Sequence, residues 1–465
     1  MDIRPLSYKH LAAAIVAGLA LRWWFFVHYP FTAGDTAYYE ALARDWYEFG
    51  VYGLFTYNQV MAMDVRMPGY PAFLNAVHAV FGHSGATVAA VQSALDMTTC
   101  ILAALLAARL APVRFRTRAA TITLWLTALC PFTAHYSTVV LTESLATFLT
   151  TAALFSLVCI LEDPRTGLPL HALDRNDLLT QASRWLLAGL LVGLGTLVRP
   201  ETPLLLIAAG IALAIRWRQR TVWPKLAMAG SWMAVGLLLP LAPWAARNAH
   251  TLGRAAFLSP RFAETPGDFV PRGFHAWTRT WMVRYRDAYA VVWKLNQAPL
   301  NIADMPASAF DSASERARVA AVLDRYNQLV GESARSPKKR IRMTPAMDHE
   351  FELLAHERAA RHPLRTHVFI PLSRAWFMWF TPRIELLPYS GRLWPWRKYW
   401  EGNPTDFSFT VAYGFLGFAY VGLAVAGMWR CRSHPAFTVL LTWLIVRTVF
   451  LTQLQTVEPR YVIEC

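Results

Sequence analysis

The sequence predicts an all-α polytopic membrane protein, and two observations support this fold class. Of the 465 residues, 55% are hydrophobic and only 16% are charged. In a soluble domain roughly a quarter of the residues are charged. Apolar windows also recur along the chain, and windows of about 20 residues are long enough to cross a hydrocarbon core of ~30 Å as a helix. We therefore expect about nine to eleven transmembrane helices.

The apolar windows define nine candidate spans. In chain order they are 9–28, 86–110, 119–135, 138–161, 184–199, 202–216, 226–246, 408–429 and 436–454. The first window is followed by HYPFTAGD, which contains no small-residue cleavage site. We therefore expect it to be a retained helix and not a signal peptide.

Basic loops predict the orientation of the spans. The sequences PVRFRTR, RWRQRTVWPK and WRCRSH follow the second, sixth and eighth spans, so they lie on one side if nine spans alternate. Because basic residues accumulate in cytoplasmic loops, that side is predicted to be cytoplasmic. The net charge of +15 also favours contact with anionic lipid headgroups. Outside the spans no basic-aromatic surface is dense enough to predict nucleic-acid binding.

The same alternation predicts the domain organisation. Residues 1–246 form an N-terminal transmembrane core whose first outer loop, 29–85, is expected to carry an amphipathic helix. Residues 247–407 form a small, mostly helical outer (periplasmic) domain, and 408–465 form the C-terminal transmembrane helices. The run THVFIPLSRAWFMWF, near 366–380, predicts an interfacial helix with tryptophans at headgroup level. The positions of the five cysteines indicate no disulfide framework.

Charged residues close to the spans are the candidate functional residues, because such charges are costly near a membrane. Asp35 lies in AGDTAYYE, just beyond the first span, and Arg66 precedes the turn in DVRMPGYPAF. Glu143, in HYSTVVLTESLATF, is expected about one helical turn inside the outer end of the fourth span. Three further arginines are expected at outer helix ends: Arg199, Arg247 and Arg460. A shared cleft at one membrane surface explains all six positions.

A lipid-linked phosphate substrate suits such a cleft. Arginines bind phosphate oxygens bidentately and stabilise the charge that builds on a departing phosphate. Apolar helices hold an isoprenoid tail, and a carboxylate removes the proton of the acceptor as general base. Phosphate leaves without a proton donor, so a single base suffices, whereas glycoside hydrolysis requires two carboxylates.

The chain resembles the GT-C glycosyltransferases, in the bacterial branch related to protein O-mannosyltransferases and lipid A aminoarabinose transferases. The resemblance rests on segments in the family's order: GDTAYYEALA, RMPGYPAFL, LTESLATFL, GLGTLVRPETPLLL, PWAARNAHTLGRAAFLS and TVEPRY. It implies a GT-C core, a polyprenyl (undecaprenyl) phosphate sugar donor, and inverting transfer to a lipid, glycan or protein acceptor outside the bacterial inner membrane. Many relatives have two adjacent acids in the first loop, whereas here Asp35 stands alone. Relatives also usually continue beyond the position of YVIEC into another helix.

The resemblance implies roles for individual residues. Asp35 would be the general base, and Glu143 would hold a substrate or order the basic residues. Arg66, Arg199, Arg247 and Arg460 would contact the donor phosphate, with Arg247 the first candidate. The remaining residues expected to line the site are Tyr70, His135, Glu201, Glu458 and Tyr461. No His/Cys/Asp cluster has metal-ligand spacing, so no cofactor is required, although some GT-C enzymes bind a divalent ion.

Structural interpretations remain open for several of these residues. Asp35 is also suited to cap a helix, the arginines to anchor helix ends at the interface, and His135 to a helix end. RMPGYP is also typical of a simple turn, and the aromatic stretch 274–293 is typical of packing.

Two other function classes remain. A transporter or flippase of lipid-linked sugars should carry paired charges near mid-membrane and have two similar halves, whereas here the ionisable groups gather at outer helix ends. A structural protein of envelope assembly would have no need for Asp35.

Overall fold

The computed structural model describes residues 6–56, 58–167, 173–216, 223–262, 269–335 and 343–465. The protein is mostly helical, and it divides into two compact units. The first unit comprises Met1–Ala263, Pro382–Arg447 and Ile463–Cys465, and the second comprises Glu264–Thr381 and Thr448–Val462.

The elements follow one another in chain order. In the first unit they are α1 (Tyr8–His28), α2 (Gly34–Phe49), β1 (Gly53–Thr56), β2 (Gln59–Ala62), α3 (Gly69–Phe81), α4 (Gly85–Leu110), α5 (Arg116–Ala128), α6 (Pro131–Tyr136), α7 (Glu143–Glu162), α8 (Arg175–Val198), α9 (Leu204–Arg216) and α10 (Trp223–Leu252). The second unit contains α11 (Arg272–Arg279), α12 (Tyr285–Asp287), α13 (Ala313–Arg335), α14 (Pro345–Arg361) and α15 (Ile370–Trp379). The first unit then continues with α16 (Trp396–Gly402) and α17 (Pro404–Arg430), and α18 (Phe437–Thr452) begins in the first unit and ends in the second.

Six of the described helices are long and apolar enough to cross a membrane, namely α1, α4, α7, α8, α10 and α17. Leu204–Ile215 of α9 and the whole of α18 are apolar but shorter. The prediction of a helical integral membrane protein is therefore supported. These eight helices coincide with eight of the nine predicted spans.

The remaining predicted span, 119–135, is not one continuous helix. It forms α5 and α6, and Leu129 and Cys130 separate them. Pro131 explains the break, because proline lacks an amide proton and disfavours helical backbone in the residue before it. Pro131 instead opens α6, at a position where a proline is well tolerated.

The described residues include a small sheet, which an all-α prediction does not contain. β1 and β2 pair antiparallel, with Gly53 opposite Ala62 and Thr56 opposite Gln59. Asp45 on α2 holds this hairpin, because its carboxylate accepts the amide of Phe55 at 2.7 Å.

The boundaries of the second unit differ from those predicted for the outer domain, 247–407. Helix α10 continues to Leu252, and residues 382–407 belong to the first unit. Aromatic side chains of the stretch 274–293 form the core of the second unit, with Trp277 and Phe351 at a centroid distance of 5.0 Å. The packing interpretation of this stretch is thereby confirmed.

The predicted interfacial segment 366–380 is helical. It consists of a π-helical turn, Arg365–Phe369, followed by α15. Phe369, Leu372 and Trp376 are more than half exposed, so one side of the segment is apolar and uncovered. Its location at a membrane surface stays a prediction.

Helices α8 and α10 pack closely against each other through glycines. A Cβ atom at Gly189 of α8 would lie 2.2 Å from the carbonyl oxygen of Met233, and one at Gly236 of α10 would lie 2.3 Å from that of Leu186. Only glycine allows these helices to approach so closely.

At one end of the unit, Glu162 of α7 accepts from Arg109 of α4 at 2.7 Å and lies 3.2 Å from His434. We call this end, where α4, α7 and α17 terminate, the basic end.

Candidate functional site

Asp35 and Arg66 form an ion pair in the first unit. Asp35 lies in the first turn of α2, where its charge interacts favourably with the helix dipole. Ala33 and not Asp35 occupies the N-cap position of the helix, and no side chain caps it, so the capping interpretation is wrong. Arg66 Nη2 donates to Asp35 Oδ1 at 3.1 Å, and the two side chains are 27% and 28% exposed. Both groups are therefore ordered by each other and still accessible to a substrate.

Neighbouring residues fix the loop that carries Arg66. The hydroxyl of Tyr52 donates to the Arg66 carbonyl at 3.0 Å, and the Arg66 guanidinium lies 5.3 Å from the centre of the Tyr38 ring. Burial alone lowers the pKa of Arg66, but the nearby Tyr39 and Asp35 reverse this effect and the pKa is raised overall. The guanidinium therefore stays charged at every physiological pH.

Close packing against α8 requires a glycine at position 69, within RMPGYP. A Cβ atom at Gly69 would lie 2.6 Å from the carbonyl oxygen of Leu197, near the end of α8. Gly69 thus lets the start of α3 approach the residues that precede Arg199. The motif is therefore more than a turn, because it brings the Arg66 loop to the end of α8.

Glu143 and Arg199 form a second, buried ion pair. Arg199 Nη2 donates to Glu143 Oε1 at 2.7 Å, and the two side chains are 9% and 1% exposed, respectively. Glu143 is the first residue of α7 and does not lie one turn inside a helix as predicted, because residues 137–142 form turns. The N-terminus of α7 stabilises its charge.

The Glu143–Arg199 pair belongs to a larger buried cluster. Arg199 lies 3.7 Å from Glu201 and 3.1 Å from Glu464, and Arg447 lies 2.9 Å from Glu464 and 3.6 Å from Glu201. Sequence reasoning included Glu201 but missed Arg447 and Glu464. A charge within LIVRTVF, inside a predicted span, was the available signal for Arg447.

A hydrogen bond of the Thr36 side chain joins the elements that carry the two ion pairs. Thr36, next to Asp35, donates from its hydroxyl to the carbonyl of Val140 at 3.0 Å, and Val140 lies three residues before Glu143. The N-terminus of α2 is therefore attached to the turn that leads into α7.

Tyr39 lies within electrostatic reach of both pairs. Burial raises the pKa of its hydroxyl, and the charges of Arg66 and Asp35 act on it in opposite directions. Arg199 and Glu143 also act on this hydroxyl. Sequence reasoning missed Tyr39, because a tyrosine among several in AYYEALARDWY carries no distinguishing signal.

Tyr70 is a buried link and not an exposed lining residue. Its ring packs against Tyr39 at a centroid distance of 5.1 Å, and its hydroxyl donates to Gln92 Oε1 at 2.7 Å. Gln92 Nε2 in turn donates to the carbonyls of Ser137 and Val139, at 3.2 and 2.7 Å. Gln92 therefore holds the turn before Glu143 from within α4, and a glutamine in an apolar segment was the signal for it.

Arg247, the first sequence candidate for the donor phosphate, is bound to the protein. Its guanidinium donates to the carbonyl of Met63 at 2.9 Å and also to the carbonyl of Tyr52. It lies 5.2 Å from the centre of the Trp244 ring. These contacts make it a support of the hairpin and of the Arg66 loop.

The other predicted residues are His135, in the first unit, and three residues of the second unit. His135 is 4% exposed, stacks on Phe25 at 4.6 Å and contacts the Tyr29 carbonyl through Nε2 at 3.1 Å, as expected of a helix-end histidine. Glu458, Arg460 and Tyr461 belong to the second unit. There the Glu458 carboxylate accepts from the guanidinium of Arg460 and, at 2.8 Å, from the hydroxyl of Tyr461.

A third ion pair lies between two of the candidate spans. Arg22 of α1 donates through Nε to Asp96 of α4 at 3.0 Å, and they are 1% and 3% exposed. Arg22 Nη1 also donates to the carbonyls of Gly18 and Ala128, at 2.8 and 2.9 Å. This pair is an exception to the expectation that the ionisable groups gather at outer helix ends.

No group of three or more His, Cys, Asp or Glu side chains among the described residues is arranged to hold a metal ion. The chain matches no protein-family model, no curated protein and no solved structure.

Proposed function

We propose that this protein is a membrane glycosyltransferase that uses a polyprenyl (undecaprenyl) phosphate sugar as donor. The observation that carries the proposal is the accessible Asp35–Arg66 pair, which lies in the unit that contains the candidate spans. A carboxylate and a guanidinium in contact supply a base and a phosphate ligand next to each other. The resemblance to GT-C enzymes supports the same reaction.

The proposed reaction needs one proton transfer. The oxygen of the acceptor hydroxyl attacks the anomeric carbon of the donor sugar while its proton passes to the Asp35 carboxylate. The bond from the anomeric carbon to the phosphate oxygen breaks, and the electron pair leaves with polyprenyl phosphate. Arg66 stabilises the negative charge that grows on that phosphate. Attack opposite the leaving group inverts the anomeric configuration.

The buried residues would then position the reactive pair. Glu143 and Arg199 hold the end of α8 against the start of α7. Gln92 holds the turn that precedes Glu143. We rank Arg66 above Arg247 as the phosphate ligand, because the Arg247 guanidinium already contacts backbone carbonyls.

The proposed location is the bacterial inner membrane, with the site on the periplasmic side. The segment 111–118, at the basic end, carries Arg114 before α5 and both Arg116 and Arg118 in its first turn, and basic segments that connect spans remain in the cytoplasm. Asp35 follows α1 at the opposite end of the spans, which would place it outside. The acceptor is a lipid, a glycan or a protein at that surface.

A donor screen tests the proposal. Purified protein is incubated with a series of undecaprenyl phosphate sugars and a membrane extract, and release of undecaprenyl phosphate is followed. We expect Asp35→Asn to lower the rate with the active donor by about 10²–10⁴-fold. The matched control is Glu48→Gln on the exposed side of the same helix, which should retain full activity.

Arg66→Met should also lower the rate with that donor, and Arg66→Lys should restore only part of it because lysine lacks the bidentate fork. Full activity in Asp35→Asn would exclude Asp35 as the base. No release with any donor, from correctly folded protein, would contradict the transferase proposal itself.

Transport of lipid-linked sugars is the second candidate, and the buried Arg22–Asp96 pair favours it. Ionisable pairs inside spans often mark a translocation path. A vesicle assay distinguishes the two functions: a flippase moves a labelled lipid-linked sugar between leaflets without releasing polyprenyl phosphate, and it depends on Asp96 and not on Asp35. A structural assembly protein would be indifferent to both.

A further inference from the structure

An exposed aromatic and basic segment lies directly before helix α17. Three tryptophans in it are exposed, with Trp394 at 79% and both Trp396 and Trp400 at 48%. Single exposed apolar residues are ordinary, but three exposed tryptophans within seven residues are not. The segment also carries three exposed cations: Arg392, Arg397 and Lys398.

Two of the three cations lie close to aromatic rings of the same segment. The Arg397 guanidinium is 5.4 Å from the centre of the Trp396 ring, and the Arg392 guanidinium is 5.9 Å from that of Tyr399. A side chain that presents a flat apolar ring beside a cation suits the boundary between hydrocarbon and headgroups.

The segment is attached to the first turns of α17. Asp406 Oδ1 accepts the amide of Ser390 at 2.9 Å, and Asn403 Oδ1 accepts the amide of Asp406 at 3.0 Å. Trp400 packs edge-on against Phe407 at 6.0 Å. Trp400 is therefore held beside the first turn of α17.

Helix α17 itself presents an apolar, uncovered side. Of the six candidate spans it is the least buried within the protein, and Phe415 and Val425 are 76% and 64% exposed. Lipid chains are the natural cover for such a side. The segment 392–400 directly precedes the end of this helix that begins with Pro404.

The length of α17 agrees with this arrangement. Its 27 residues extend about 40 Å, which matches a bilayer of about 40–45 Å including the headgroups. The other end repeats the chemistry, because Trp429 is 67% exposed and lies 4.5 Å from the Arg432 guanidinium. Each end of α17 thus has an aromatic ring and a cation where headgroups are expected.

We propose that residues 392–400 lie in the headgroup layer and bind the phosphates of anionic phospholipids. Arg392, Arg397 and Lys398 supply the charge complementarity, and the tryptophans fix the depth of the segment. This binding is independent of the transferase proposal. A sugar-stacking platform for a glycan acceptor is the competing interpretation, but neutral sugars give the three cations no partner.

The first test measures lipid selectivity. The protein is reconstituted in nanodiscs of phosphatidylcholine and phosphatidylglycerol in a 3:1 ratio, then returned to detergent, and the retained lipids are counted by native mass spectrometry. The triple variant Arg392→Gln/Arg397→Gln/Lys398→Gln should retain at least about tenfold less phosphatidylglycerol relative to phosphatidylcholine. The control variant, Arg316→Gln/Arg318→Gln/Arg325→Gln, removes three exposed charges from α13 and should retain the wild-type ratio.

The second test measures depth. A nitroxide is attached at Glu401→Cys, in a background whose five native cysteines are replaced by alanine, and its collisions with oxygen and with a water-soluble nickel complex are compared in nanodiscs. We expect access to oxygen and protection from nickel, relative to the free label in buffer. Access to nickel equal to that of the free label would overturn the proposal, and so would an unchanged lipid ratio in the triple variant. Protection of the label by a soluble glycan and not by lipid would identify a carbohydrate platform instead.

Discussion

At the scale of single residues, exposure and existing contacts decide which charged groups are available for chemistry. Asp35 and Arg66 contact each other but keep about a quarter of their side chains exposed. Arg247, by contrast, contacts two backbone carbonyls, and a phosphate would have to compete with both. The same residue type therefore binds backbone carbonyls at one position and pairs with a carboxylate at the other.

The buried Arg22–Asp96 pair supports a prediction about stability. Arg22→Met should lower the free energy of unfolding by about 3–5 kcal/mol, because it leaves a buried carboxylate without its cation. The double variant Arg22→Met/Asp96→Leu should recover a large part of this loss, since it removes both charges. Thermal unfolding in detergent, followed by exposure of buried thiols, measures the difference.

The control for this cycle is Arg109→Met, which breaks an ion pair whose arginine is 41% exposed. Exposed pairs contribute only about 0–1 kcal/mol, so this variant should resemble wild type. An equal loss of stability in the single and double variants would mean that Arg22 acts through its contacts with the Gly18 and Ala128 carbonyls and not through Asp96.

Sequence reasoning identified all four residues of the two linked ion pairs, but it did not predict which of them pair with each other. Asp35, Arg66, Glu143 and Arg199 were found because a charge next to an apolar run is conspicuous. Which carboxylate meets which guanidinium depends on tertiary contacts such as the close approach at Gly69, and no local pattern encodes these contacts. Tyr39 was missed for the same reason, since its position between the pairs follows from the fold.

At the scale of secondary-structure elements, long apolar helices were predictable and short elements were not. The bounds of α1, α4 and α17 agree with the predicted spans to within four residues. The β1–β2 hairpin has only four residues in each strand, which is too short for an alternating pattern to be distinctive. The break between α5 and α6 was readable in principle from Pro131.

The packing of α8 against α10 supports a prediction at the same scale. Gly236→Ala should destabilise the protein, because the added methyl group would lie 2.3 Å from a backbone carbonyl oxygen and force the two helices apart. We expect the cost to be about 1–3 kcal/mol, as for other overpacked sites. Thermal unfolding in detergent is the measurement.

Gly230→Ala is the matched control, since it lies on the same helix and its added methyl group would meet no atom within 4 Å. It should be neutral or stabilising by up to about 1 kcal/mol, because alanine is the better helix former. Equal melting temperatures for the two variants would contradict the importance of the close contact.

At the scale of the whole molecule, the chain combines a unit that contains all six candidate spans with a second unit built around aromatic residues. The second unit carries polar ion pairs on its surface, such as Arg318 with Glu357, and this surface suits water. The predicted alternation of spans assigns residues 247–407 to the outer side of the membrane.

Cysteine labelling tests this orientation in two single-cysteine proteins. The first keeps Cys431, which lies in the turn after α17 at the basic end, with the other four cysteines replaced by alanine. The second is free of native cysteines and carries Arg318→Cys on α13. In intact spheroplasts a membrane-impermeant maleimide should label position 318 and not Cys431, and permeabilisation should make both react, because basic loops are retained in the cytoplasm. The opposite pattern would put the basic end outside, and the accessible Asp35–Arg66 pair would then face the cytoplasm, where a donor flipped to the outer leaflet cannot reach it.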